Sequence, residues 1–196
     1  MIAIIDYKAG NIRSVENALK RLGAEYVLTA NPETIRRADH VILPGVGEAS
    51  SAMASLEETG LVPVIKSLTQ PVLGICVGVQ LMCSFSEEGG VECMGIFKSK
   101  VTRFPEASGV KIPHTGWNTI SGLRGPLFRN IPEGSFVYYV HSYCPDIFAD
   151  QTVAVTEYAG VRFSGALQRD NFFGTQFHPE KSGPVGAEIL KNFIEL

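Results

Sequence analysis

The sequence predicts an α/β fold, a doubly wound and mostly parallel sheet carrying an antiparallel extension. Three features lead there. Short apolar runs alternate with segments of helical spacing through the first half, the pattern of β-α-β units whose strands are buried on both faces. Gly, Pro and Asn punctuate the junctions between them. The second half changes to strand-like runs joined by turn residues, as antiparallel ribbons require. At 196 residues, the chain suits one domain, 1–196, with a sizeable core.

The elements follow in order. Ile2–Ile5 is an apolar strand closed by Asp6, and Asn11–Leu22 has helical spacing with Gly23 as its stop. Tyr26–Leu28 returns as a strand. Asn31-Pro32 reads as an N-cap with Pro at the first helical position, opening a short helix. His40–Leu43 is a third strand ending at Pro44-Gly45. Glu48–Glu58 and Leu61–Leu68 carry helical spacing, and Val72–Ile75 is a buried-type strand leading into Cys76 and a helix over Val77–Cys83. Beyond it, Ile96–Phe104, Phe136–Val140, Thr152–Tyr158, Arg162–Leu167 and Phe172–Gln176 are strand-like and should extend the sheet as antiparallel ribbons. The apolar stripe of Gly183–Leu196 predicts a closing helix. The whole is flavodoxin-like.

Seventeen Lys+Arg stand against twenty Asp+Glu, a formal net charge of −3. That balance supplies no basic field for nucleic acid or an anionic membrane. Met1–Ile5 is too short for the apolar segment of a leader and has no basic residues before it, so a soluble, cytoplasmic chain is expected. The four cysteines, Cys76, Cys83, Cys93 and Cys144, show neither C-x-x-C spacing nor clustered histidines. No metal, cofactor or disulfide framework is implied, and reduced thiols are expected.

Gly74-Ile75-Cys76-Val77-Gly78 places a cysteine between two glycines at a predicted strand-to-helix junction. Glycines there permit a tight turn that lifts the sulfur above the sheet edge as a nucleophile, the logic of the G-x-S-x-G elbow. Backbone N–H groups at the helix start favour thiolate. Phe173-Gly174-Thr175-Gln176-Phe177-His178-Pro179-Glu180 then puts an imidazole and a carboxylate two positions apart on an extended exit. Residues so spaced share a face, and Pro179 steers His178 into extended geometry. Glu180 can therefore orient His178 and stabilise its charged form. Pro44-Gly45-Val46-Gly47, at the end of another strand, is a candidate oxyanion loop; the N–H of Val77 would be its second donor. Gln80, one helical turn after Cys76 on the same face, is within reach of a substrate. Taken alone, each motif also has a bland reading, as packing, a surface turn or a solvated loop. Their combination at the carboxyl ends of the strands points to catalysis.

These residues in this order resemble the class I, Cys-His-Glu glutamine amidotransferases over essentially the whole chain. Ile5–Val15, Pro44–Gly47, Pro113-His114-Thr115-Gly116-Trp117-Asn118 and His178–Ser182 are similar to the branch that feeds a synthase of histidine biosynthesis. Val77 and Val79 at the elbow, and Lys8-Ala9 in the first loop, depart from the usual residues. The resemblance implies the class I fold and a glutaminase: Cys76 forms a thioester with glutamine, His178 serves as acid and base, and Glu180 orients it. It further implies that Glu88 meets the substrate ammonium, with a solvated loop as its second reading, and that the backbone of His141, Ser142 and Tyr143 holds substrate, with a structural role as the second reading of the His141 side chain. The implied partner is a (β/α)8-barrel synthase subunit in a heterodimer, receiving ammonia by a sealed route. Asn11, Arg13, Pro113, Trp117, Asn118 and Lys181 would lie near that interface, with a core anchor as the second reading of Trp117. Competing readings are a free-standing hydrolase of the same fold and a flavodoxin-like module without catalysis. The first would turn over glutamine alone, and the second would not use the late His-Pro-Glu.

Overall fold

The computed structural model describes residues 1–7, 12–45, 47–106 and 110–196. The first half contains β1 (Ile2–Ile5), α1 (Arg13–Arg21), β2 (Tyr26–Thr29), α2 (Pro32–Arg37), β3 (His40–Leu43), α3 (Ala49–Glu58), α4 (Leu61–Lys66), β4 (Val72–Ile75) and α5 (Val77–Met82). The second contains β5 (Phe85–Ser86), β6 (Val91–Glu92), β7 (Lys100–Arg103), β8 (His114–Thr119), β9 (Phe136–His141), β10 (Tyr143–Pro145), β11 (Thr152–Tyr158), β12 (Val161–Arg169), β13 (Phe172–Thr175) and α6 (Gly183–Ile194).

A seven-stranded sheet in the order β11-β12-β13-β4-β3-β1-β2 forms the centre. From β13 to β2 every pairing is parallel, while β11 and β12 add the antiparallel extension. Strands β1 and β4 are buried along their whole length, as strands covered on both faces must be. Helix α1 buries Val15, Ala18 and Leu19 at three- and four-residue spacing. Asn31 caps α2 by accepting from the Thr34 N–H at 3.0 Å, with Pro32 at the first helical position.

Two expectations about the second half change. Phe136–Val140 does not extend the main sheet; among the described residues β9 pairs with β8 alone, as a separate two-stranded sheet. Within Ile96–Phe104 only Lys100–Arg103 is a strand, and it belongs to a third sheet ordered β10-β7-β5-β6. Both small sheets draw on strands two to six residues long. Apolar runs that short cannot reveal their partners.

Candidate active site

Steric contact shapes the elbow between β4 and α5. A Cβ on Gly78 would stand 2.0 Å from the Leu43 carbonyl oxygen, and one on Gly74 would stand 2.6 Å from Met82 Sδ and 2.8 Å from the Gly78 carbonyl carbon. Only glycine lets strand, turn and helix approach so closely. Between them Cys76 takes φ 53° and ψ −112°, a strained conformation for a residue with a side chain. Its N–H donates to the Thr175 carbonyl at 2.8 Å, tying the turn to β13. The residue is only 4% exposed, and its sulfur lies 3.9 Å from the Val140 carbonyl and 3.7 Å from Gln176 Nε2.

The exit of β13 delivers the other two members of the predicted triad. His178 is extended (φ −96°, ψ 96°), as the following proline requires. Its N–H donates to the Tyr138 carbonyl at 2.9 Å, and its carbonyl accepts from Ser182 Oγ at 2.6 Å. His178 Nδ1 donates to Glu180 Oε1 at 2.8 Å, both side chains being 3% exposed. An acidic partner on Nδ1 leaves Nε2 as the working nitrogen. Among the described residues Nε2 has no hydrogen-bond partner, yet Cys76 is close enough to act on the imidazole electrostatically. Burial alone would lower the His178 pKa. The Cys76 sulfur and Glu180 outweigh it and push the imidazole up to about 9.

Beside the sulfur lies a cavity of about 200 Å³, smaller than a drug-sized site and suited to a small metabolite. Gly47, Val77, Gln80, Glu88, His141, Ser142 and Tyr143 line it together with Cys76 and His178. Gly45 does not: its Cα packs on the back of the elbow, where a Cβ would be 2.4 Å from the Gly78 nitrogen. That packing accounts for a glycine at 45 and leaves the oxyanion expectation resting on the backbone of the loop toward Gly47. Gly47, at φ 92°, needs the freedom of glycine, and Val46 lies outside the described residues. Glu88 Oε2 accepts from the Ala49 N–H at 2.9 Å, capping α3. Burial raises the Glu88 pKa, only partly countered by that N–H, and nearby Glu48 adds to the rise.

The residues expected at an interface divide. Lys181 lines the cavity itself. Arg13 and Pro113 are exposed, Asn118 is half-buried, and Asn11 lies outside the described residues. Trp117 is 55% exposed, which removes its reading as a core anchor. Two contributors carried no assigned role in the sequence: Gln176, fully buried beneath the sulfur, and Tyr7, whose hydroxyl donates to the Pro44 carbonyl at 2.7 Å. Both sit inside the motifs, but an amide or phenol in a strand signals packing as readily as function. A second cavity, about 380 Å³, lies behind Glu180 between α1 and α6, and Arg21, Glu180 and Lys181 are the charged residues in its lining.

A strained elbow cysteine facing an acid-held imidazole is the arrangement of a thiol-dependent acyl-transfer enzyme. The chain belongs to the class-I glutamine amidotransferase family, whose pattern matches residues 3–196. It is 56% identical over 196 residues to the protein of Bacteroides fragilis strain YCH46 named "Imidazole glycerol phosphate synthase subunit HisH", covering 100% of this chain and 99% of that one. The protein of the same name from Bacteroides thetaiotaomicron is 53% identical over 196 residues, with the same coverage. Among solved structures, a glutamine amidotransferase superposes with a TM-score of 0.75 at 16% identity, covering 100% of this chain and 98% of the other. Another glutamine amidotransferase, from Thermotoga maritima, gives 0.64 at 21% identity, covering 99% and 80%. These two share the fold.

Proposed function

We infer that this chain is the glutaminase subunit of an imidazole glycerol phosphate synthase, with Cys76, His178 and Glu180 as its catalytic triad. The observation that carries the reading is full-length identity above half to proteins of that name, combined with a buried Nδ1 to Oε1 contact of 2.8 Å behind the imidazole that faces Cys76. The Cys76 thiolate attacks the side-chain amide carbon of glutamine, and the resulting oxyanion takes hydrogen bonds from the Val77 N–H and the loop ending at Gly47. His178 protonates the amide nitrogen, the C–N bond breaks, and ammonia leaves. Water, giving its proton to the same imidazole, then attacks the thioester; glutamate and the free thiol are the products. Glu180 orients the ring through both steps and stabilises it whenever it is an imidazolium.

Gln80, Glu88 and the His141–Tyr143 segment receive the amino-acid end of glutamine in this reading. A substrate ammonium beside Glu88 would reverse the upward push that burial gives its carboxyl. The second subunit, a (β/α)8 barrel, docks on the outer face of the β8–β9 hairpin. Trp117, Phe136 and Val140 stand exposed together there, on the strand faces opposite the core. Ammonia passing directly to the barrel stays unprotonated, which free release into neutral water would prevent. No helix among the described residues is long and apolar enough to cross a membrane, and we place both subunits in the cytoplasm.

The test is glutamate release from glutamine by the purified chain, alone and with the synthase subunit and its nucleotide ligand. Strong stimulation by the partner is expected. Cys76→Ser should abolish the glutamine-dependent reaction and leave the complex able to use an ammonium salt; loss of both activities would contradict the division of labour. Vigorous partner-independent turnover would instead favour a free-standing hydrolase.

A further inference from the structure

Three buried side chains at or behind the cavity have no bond-making role in the chemistry above. They are His114, His141 and Gln176, and they converge, through His141 or through Gln80, on one backbone oxygen. The Tyr143 carbonyl lies 2.8 Å from His141 Nδ1 and 3.0 Å from Gln80 Nε2. A carbonyl has two lone pairs and can only accept, so both nitrogens must donate. The consequences run outward in two directions.

On one side, a neutral His141 that donates from Nδ1 must accept at Nε2. His114 Nδ1, 2.9 Å away, must therefore donate to it, and His114 Nε2 in turn becomes an acceptor. Asn118 Nδ2 stands 3.3 Å from that nitrogen. The far end fixes the same polarity independently: Asn118 Nδ2 also donates to the Glu157 carbonyl at 2.9 Å, while its Oδ1 accepts from the Thr119 N–H at 2.8 Å. Adding a proton to either ring would set N–H against N–H. Burial acts in the same sense, pushing His141 down to about 3 and His114 down to about 4. Stacking between Tyr139, at 4.8 Å, and Tyr158, at 3.9 Å, holds the His114 ring in place.

On the other side, the Gln80 amide nitrogen spends its second hydrogen on Gln176 Oε1, at 2.9 Å. Gln176 must then present Nε2 to the Cys76 sulfur, at 3.7 Å. With both donors committed, Gln80 has only its oxygen left to offer the cavity it lines. We propose that His114 and His141 are positioning residues of the glutaminase site: two neutral rings, each protonated on Nδ1, hold the Tyr143 carbonyl that orients Gln80 for substrate and Gln176 for Cys76. This rests on the cavity being the glutamine site.

The first experiment is long-range ¹H–¹⁵N correlation of the ¹⁵N-histidine-labelled full chain at neutral pH, assigned with single-histidine variants. Both rings should show a protonated Nδ1 and a bare Nε2. An Nε2-protonated tautomer or a doubly protonated ring at either position overturns the proposal, and this readout does not depend on activity. The second uses the complex with the synthase. His114→Phe keeps an aromatic ring between the two tyrosines but can neither donate nor accept. The KM for glutamine should rise about five- to tenfold, the worth of one hydrogen bond, with a smaller change in kcat. An unchanged KM in a folded variant overturns the proposal. If the variant does not fold, the tautomers of the unaltered chain still decide it. Absence of glutamate release from the unaltered complex would refute the glutaminase reading and leave the tautomer result standing.

Discussion

Backbone sterics hold the β4–α5 elbow, whereas side-chain hydrogen bonds hold the inner face of the β8–β9 hairpin. Both reach the same cavity. At the elbow, glycines at 74 and 78 allow contacts no other residue fits, and a strained φ of 53° at Cys76 is the result. The hairpin tolerates side chains of every kind, placing His114, Val137, Tyr139 and His141 inward while Trp117, Phe136 and Val140 face out. Strain that aims a nucleophile needs a rigid frame that sheet packing supplies. A surface that must meet a partner and also shape a pocket needs two chemically different faces, which alternation along a strand provides.

That contrast makes separable predictions. The largest effect belongs to the proposed triad: Glu180→Gln should lower the glutaminase kcat by about 10²–10⁴ in the complex, because the imidazolium loses its counter-charge. The same variant tests linkage. His178, normally near 6.5, is raised to about 9 in the folded chain, so its contribution to stability is complete below about pH 6.5 and is lost as pH rises through about 9. Denaturant titrations from pH 6 to 10 should show that decline in the unaltered chain and a flatter profile in Glu180→Gln. Next, Gly78→Ala should destabilise the fold by about 3 kcal/mol, since its methyl would overlap the Leu43 carbonyl; an unchanged midpoint would show that the elbow yields.

Trp117→Ala should act on the opposite face, weakening binding of the synthase subunit by about 2 kcal/mol in calorimetry while leaving the unfolding midpoint nearly unmoved. The reverse pattern would make this tryptophan structural. Smallest is Tyr7→Phe. It removes the hydrogen bond to Pro44 and should cost about 1 kcal/mol of stability, with a modest fall in kcat if the loop through Gly47 loosens.

Legibility in the sequence followed the range of the interactions. The central sheet was readable because runs such as Ile2–Ile5 and Val72–Ile75 are apolar on both faces, and such strands belong in the middle of a parallel sheet. The small sheets were not. His114–Thr119 reads His-Thr-Gly-Trp-Asn-Thr, with polar residues on both faces, and its partner strand begins 22 residues after its own start. The exposure of Trp117 was equally open, since a lone tryptophan satisfies core and interface alike.

By itself, the sequence determined what depends on adjacent residues: a cysteine pinned between glycines, an imidazole and a carboxylate sharing one side of a short extended exit, a proline and an asparagine opening α2. Tertiary structure alone decided which distant groups meet. Gly45 packs behind the elbow, Lys181 enters the cavity wall, and His114 finds His141 across a strand pair. Hydrogen-bond polarity within that network passes from one carbonyl to the next, and only folding brings Tyr143 and Glu157 to its two sides.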